Sequence, residues 1–242
     1  MKQINKRIIE KYYSFNIDFM FAYIAPFFRG LFLGGSVVVI SFCLDRTVSK
    51  QSYVNMDIED IHLYHQGVKA NIINLCVMSP VMYSILVNHI VFEPGLSIYG
   101  LNAFHTICLV FFHNLFYYLV HKSFHLSRRL QDIHNFHHKF DRLMLPSVGN
   151  AVSKREFLIA YISPFYIGAA VVPCSETSLL CSVAIIAGLN MCIHCKEIED
   201  APWCKMLVSP KKHITHHIVR KKHYSAPLID FDEILEVEEK KE

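Results

Sequence analysis

The chain has 242 residues, 52% of them hydrophobic and 19% charged, with a net charge of only +3. Mean hydropathy is +0.28 and the apolar residues fall in long runs, which excludes an ordinary soluble domain and points to a bilayer. The near-neutral balance also gives no basis for nucleic-acid binding.

The start, Met1 to Lys11, is polar and basic and lacks the short apolar region of a secretory leader. The next stretch, Ile17–Leu44, is apolar but interrupted by Pro26, Arg29, Gly30 and Gly34–Gly35. With basic residues on both flanks, it is expected to be a kinked or re-entrant segment, the re-entrant form being favoured. His62 and His65 lie in a polar stretch expected at the surface. Ala70–Phe92 and Leu101–Val120 form an expected first hairpin (70–120). Phe157–Val172 and Thr177–His194 form a second (156–194). Each stretch is near the ~20 residues a helix needs to cross the hydrocarbon, the third being short.

Charge orients these hairpins. The connectors Glu93–Gly100 and Pro173–Glu176 carry no Lys or Arg. His121–Arg155 carries Lys122, Arg128, Arg129, Lys139, Arg142, Lys154 and Arg155, and the tail is also basic. By the positive-inside rule both hairpins open toward the cytosol. The expected fold is an all-α membrane protein forming a single integral-membrane domain. It has two transmembrane hairpins, the additional apolar segment 17–44, and a cytosolic histidine-rich helical cap from 121–155 and 195–242. That cap is expected to hold a two-metal site.

Five of the eight cysteines, Cys43, Cys76, Cys108, Cys181 and Cys192, lie in apolar runs, where cysteine packs as a small hydrophobe. Cys192-x-x-Cys195 has no second pair at zinc-finger spacing, so neither a disulfide framework nor a structural zinc is expected.

The histidines carry the chemistry. His121 and His125 are spaced i, i+4 and share a helix face. His134, His137 and His138 form an H-x-x-H-H box, and His213, His216 and His217 repeat it in the tail. His194 ends the fourth apolar stretch on the same side. Nine histidines exceed what one ion accepts and suggest two, of a kind that imidazole suits: iron, zinc, copper or nickel. The set differs from soluble di-iron bundles, which rely on Glu and Glu-x-x-His. One box alone is ordinary for a basic surface helix; three on one side are not. His113 is two turns before His121 inside an apolar run, and an ionisable residue there is a functional candidate, substrate-facing or supporting rather than ligating. Asn190, one turn before His194, and Glu197, Glu199 and Asp200 are candidates for a further ligand. Glu156 is placed to accept the outer N–H of a ligand histidine.

In this order, after paired apolar helices, the three boxes resemble the fatty acid hydroxylase/sterol desaturase superfamily over roughly residues 100–235. Asn114-Leu-Phe-Tyr117-Tyr118-Leu-Val-His121 is similar to that family's Asp-x-x-x-Tyr-x-x-His entry. His194-Cys195 with Ala201-Pro202-Trp203, and the closing Phe231-Asp232-Glu233-Ile234-Leu235, resemble the C-4 methylsterol oxidase and cholesterol 25-hydroxylase branch. The chain departs from the pattern at Asn114, Lys122, Ser153, His223 and the longer turn Lys196–Asp200. Asn114 in place of Asp weakens an expected hydrogen bond to a ligand histidine.

The resemblance implies two iron ions, with zinc an accepted substitute in purified material, and O₂ as oxidant. It implies hydroxylation or desaturation of a lipid, a sterol first, and a fatty-acyl or sphingolipid substrate as the alternative. It also implies an endoplasmic-reticulum location, to which Lys240-Lys241-Glu242 adds a dilysine-like end displaced by one residue. Electrons are expected from cytochrome b5 and its reductase, since no haem, flavin or dinucleotide motif is present. A metal-dependent membrane hydrolase is disfavoured by the absence of H-E-x-x-H. A metal transporter is disfavoured by histidines beyond the helix ends, and a degenerate scaffold by the intact boxes.

Overall fold

The computed structural model describes the backbone over residues 2–91 and 99–235, with side chains over 20–91 and 102–235. Residues 93–98 of the first connector, and the dilysine-like end, lie outside the described residues. Every element is helical; no strand occurs among the described residues, and Leu207 and Ile229 form an isolated antiparallel bridge.

Helix α1 runs from Lys2–Thr47 without a break. The expected re-entrant turn is not there. Pro26 has no amide for the carbonyl four residues back, Ala22, and inside a membrane such an orphan needs another donor. The Asn88 side chain supplies it at 3.1 Å, and Ser84 donates to the neighbouring Tyr23 carbonyl at 2.8 Å. A second helix therefore repairs the first.

The short α2 (Lys50–Val54) leads to α3 (Ile58–Ile72), which Asp57 caps by accepting from the Asp60 amide at 2.8 Å. A wide π-turn, Ile73–Met78, joins α3 to α4 (Ser79–His89). The same device recurs after α5 (Tyr99–Leu126) and α6 (Arg128–His134). There α7 (Lys154–Glu156) passes through a π-turn, Phe157–Ile162, into α8 (Ser163–Val171). Each π-turn precedes a Ser-Pro pair, Ser79-Pro80 and Ser163-Pro164. A proline ring crowds the carbonyl four residues back and offers it no amide, so the turn opens to the wider form. Helix α9 (Glu176–Ile193) is capped by Ser175, α10 (Pro210–Val219) by Ser209, and α11 (Phe231–Leu235) ends the described chain.

Four helical stretches are long and apolar enough to cross a membrane: Met20–Thr47, Ile58–His89, Asn102–Leu126 and Glu176–Ile193. The second starts well before Ala70, so His62 and His65 sit on its first turns. The Phe157–Val172 stretch is the apolar body of a rod that begins with the charged Lys154, Arg155 and Glu156, and is not among the four. Large side chains such as Phe32 and Ile107 point outward, 79% and 67% exposed, as lipid-facing residues would.

At one end of the bundle Arg29 makes a two-pronged contact with Glu176 (2.5 and 2.8 Å), to which Tyr83 also donates at 2.9 Å. At the other end Thr47, Ile58, Leu126, Lys154 and Ile193 all terminate, and Ser52 donates to Glu197 at 2.7 Å. The core between these ends is Tyr83, Leu86, Leu109, Phe165, Leu179 and their neighbours. Gly34 lets α1 cross the first π-turn: a Cβ there would lie 2.0 Å from the Leu75 carbonyl oxygen. Gly34→Ala is therefore expected to lower stability by about 1–3 kcal/mol, read as an earlier thermal transition of the detergent-solubilised chain. An unchanged transition would show that the crossing has room for a methyl group.

Candidate metal centre

The end at which the helices terminate gathers all nine histidines of the three boxes and His194. They come from α5 (His121, His125), α6 (His134), the 3₁₀ turn His137–Phe140, the end of α9 (His194) and α10 (His213, His216, His217). They form two groups. His121, His125, His134, His138 and His216 bring one nitrogen each within 4.8 Å of one another, and so do His137, His194, His213 and His217. Eight of the nine are buried and His125 is partly so.

Seven of the nine rings are turned by what the outer nitrogen meets, while Nδ1 of His213 meets no partner. Nδ1 of His121 donates to the Tyr224 carbonyl (2.6 Å), that of His194 to the Asn190 carbonyl (2.7 Å), and that of His216 to the Lys222 carbonyl (2.9 Å). His137 faces the Ala151 carbonyl at 3.4 Å. A carbonyl only accepts, so the proton sits on Nδ1 and Nε2 keeps its lone pair. Carboxylates do the same elsewhere. Glu156 holds His134 at 2.6 Å, and Asp141 holds both His138 (3.0 Å) and His217 (2.8 Å).

The inward nitrogens then crowd together. Nε2 of His121 lies 3.0 Å from that of His134, and that of His213 lies 3.0 Å from that of His194. The pairs His121–His125, His125–His138 and His213–His217 are at 3.2–3.3 Å. Two imidazole nitrogens bound ~2.1 Å from one ion at a right angle lie about 3 Å apart. Bare nitrogens at that spacing repel unless a cation sits between them, so the donor set fits one ion per group.

Burial keeps the rings neutral. It pushes His194 down to about 4 and His216 to about 3, and holds His134, His137, His213 and His217 well below the usual histidine range. Neutral imidazole is the form that binds a metal.

The other candidates fall around this centre. The Asn190 side chain donates to Asn150 (2.8 Å) and the Gly149 carbonyl (3.3 Å), while its own carbonyl positions His194. Asn114 makes no hydrogen bond to a histidine of either group. Its Oδ1 accepts from the Leu228 and Ile229 amides at 2.9 and 3.4 Å, tying the tail to α5. His113 is buried but belongs to neither group. His223, at φ 60°, also stands outside both. Among the described residues Glu197, Glu199 and Asp200 join neither group either. All eight cysteines are free.

Asp141 was not foreseen. It follows His138 by one 3₁₀ turn, a spacing that signals a shared face, but its second partner comes from α10 and its third, Arg220, from the end of α10. Gly149 was not foreseen either. A Cβ there would come within 2.8 Å of the His194 ring, so only glycine lets this loop lie against it.

A helical protein with bilayer-length spans and a buried nine-histidine centre of metal-binding character is thus defined. The family model for fatty acid hydroxylase matches residues 106–236, more than half of the chain, and the chain belongs to that family. No curated protein and no solved structure matches it. Membership implies an oxidoreductase of the oxygenase kind acting on a lipid.

Asp141→Ala is expected to weaken metal retention about 10–100-fold in both groups, measured by metal analysis after graded chelation. Loss from only one group would break the shared-carboxylate reading. Gly149→Ala is expected to reduce retention in the four-histidine group first.

Proposed function

We propose that the chain is a membrane-bound di-iron oxygenase, with His121, His125, His134, His138 and His216 holding one iron and His137, His194, His213 and His217 the other. The observation that carries this is the pairing of anchored outer nitrogens with inward Nε2 atoms 3.0–3.3 Å apart. When bound, an iron pair supplies activation of O₂ and removal of hydrogen from an unactivated C–H bond. The protein's part is to hold the rings, to place the lipid and to exclude water. Asn190, Gly149 and Glu156 press His194 and His134 into position. The surrounding aromatic rings, Tyr117, Phe124 and Tyr224 among them, pack against the histidines and keep water away.

A narrow cavity of about 80 Å³, open to the outside, lies between α1, α4, α5, α8 and α9. Its walls are apolar, and it ends on Asn150 and Asn190, beside His194. A lipid entering between the helices would present a C–H bond there. Sterol is our first substrate, on the resemblance of His194-Cys195, Trp203 and Phe231–Leu235 to the sterol branch. None of those residues lines the cavity; Phe231 packs on Tyr118, and Cys195 donates to the Met191 carbonyl. The family's own description favours a fatty-acyl substrate as the second reading.

The exposed Arg128, Arg129, Lys139, Lys221 and Lys222 surround the histidine end. Placing that end in the cytosol, on the endoplasmic reticulum, would let an acidic donor such as cytochrome b5 dock there and deliver electrons. Lipid profiling of cells with and without the chain tests the function. Loss of an oxidised sterol or acyl product with His137→Ala, at unchanged protein level, is the expected result; identical profiles would refute it. Purified chain is expected to bind two ions, iron or substituted zinc, and fewer would count against the pair.

A further inference from the structure

The cavity wall carries one polar side chain whose role the metal centre does not explain. His113 lies on the inner face of α5, only 1% exposed, and lines the cavity among apolar groups. Its ring packs against Phe165 at 4.3 Å between centroids and stacks on Tyr117 at 6.4 Å. Neither ring nitrogen makes a hydrogen bond of good geometry within the protein, and only the Tyr161 backbone comes close enough to interact with one of them. At the metal end of the same wall Asn150 leaves only its Nδ2 unpartnered, its Oδ1 accepting from Asn190, and other polar side chains there are satisfied from within. Tyr166 donates to the Met82 carbonyl at 2.7 Å, Tyr83 to Glu176 at 2.9 Å, and Asn190 to Asn150 at 2.8 Å.

A buried imidazole with a nitrogen left unpaired is costly, so a site that keeps one is built for a partner that arrives. We infer that His113 binds a hydroxyl group of the lipid substrate and so fixes which carbon reaches the histidine centre. A neutral imidazole always has one donor and one acceptor nitrogen. With the Tyr161 backbone beside the ring to favour a proton on one nitrogen, the other needs a donor. Among the neutral oxygen groups common in lipids a hydroxyl donates, whereas an ester or ketone only accepts.

The spacing gives this contact a consequence. His113 is eight residues before His121 on one continuous helix, a rise of about 12 Å. Tyr117 lies between them, stacked on His113 and 5.2 Å from His121 between ring centroids. A hydroxyl held at His113 puts the oxidised carbon remote from it. Oxidation at a carbon adjacent to the held hydroxyl is therefore excluded, and side-chain oxidation of a hydroxylated lipid is favoured. This inference rests on the cavity being the lipid site of the proposed function.

The test needs no turnover. Full-length chain is purified in detergent as wild type, His113→Phe and His113→Gln, and the lipids that accompany it are identified by mass spectrometry alongside its metal content. Phe keeps the packing against Phe165 and removes the polar atoms; Gln restores a donor and an acceptor. The expected result is a hydroxyl-bearing lipid on the wild type, at least about tenfold less of it on His113→Phe, and recovery on His113→Gln, with metal content equal in all three. Equal amounts on wild type and His113→Phe, lipids without a hydroxyl, or no lipid on the wild type would each overturn the inference. A chain that retains the hydroxyl lipid through His113 but oxidises nothing would overturn the oxygenase reading alone.

Discussion

The centre depends on hydrogen bonds made on the far side of the rings. Seven histidines place Nδ1 against a carbonyl or a carboxylate, and only that fixes both the tautomer and the direction of Nε2. Without those anchors nine imidazoles would titrate, rotate and repel. With them, the nine become two sets of convergent lone pairs in a water-poor interior. The anchors also explain why distant parts of the chain must be in place. Tyr224 and Lys222 come from the tail, Ala151 from the loop before α7, and Glu156 from the start of the rod that runs on into α8. The tail is in turn held to α5 by Asn114 and to itself by Asp232, which accepts from the Ser225 amide at 2.7 Å.

Asp141 makes the two groups interdependent. One carboxylate oxygen orients His138 in the five-histidine group and His217 in the four-histidine group, while Arg220 holds the other oxygen. Whatever draws one of these rings inward moves the acceptor of its counterpart. The two sites therefore share a support as well as a location, and neither is expected to be organised when the other is not.

Much of this was legible in the sequence. Helical spacing assigned the nine histidines to one end, and the i, i+3 and i+4 pattern in each box is the pattern that converges in space. Glu156 was readable too, because a lone carboxylate at the start of an apolar run needs a partner. The anchoring carbonyls of Tyr224 and Lys222 were not, since any residue has a carbonyl and its aim is a property of the folded loop. Gly149 and Gly34 were unreadable for a related reason: what makes them necessary is an atom on another element. For Ile17–Leu44 the re-entrant form, favoured because both flanks are basic, is overturned, and the alternative of a single spanning segment is the one that fits the unbroken α1. Whether a proline breaks a helix in a membrane depends on who satisfies the freed carbonyl, and here Asn88, far away in sequence, does.

The two π-turns also act on the phase of the helices they interrupt. An α-helix advances about 100° per residue, so one extra residue in a turn rotates everything after it by that amount. In the rod that starts at Lys154, Glu156 faces the histidines before the wide turn, while Phe165 and Ala169 face the apolar core after it. The added residue resets the angular count between a polar duty and a greasy one. One continuous helical rod thereby serves two neighbours lying in different directions, and Phe157, Tyr161 and Ile162 of its wide turn wall part of the cavity.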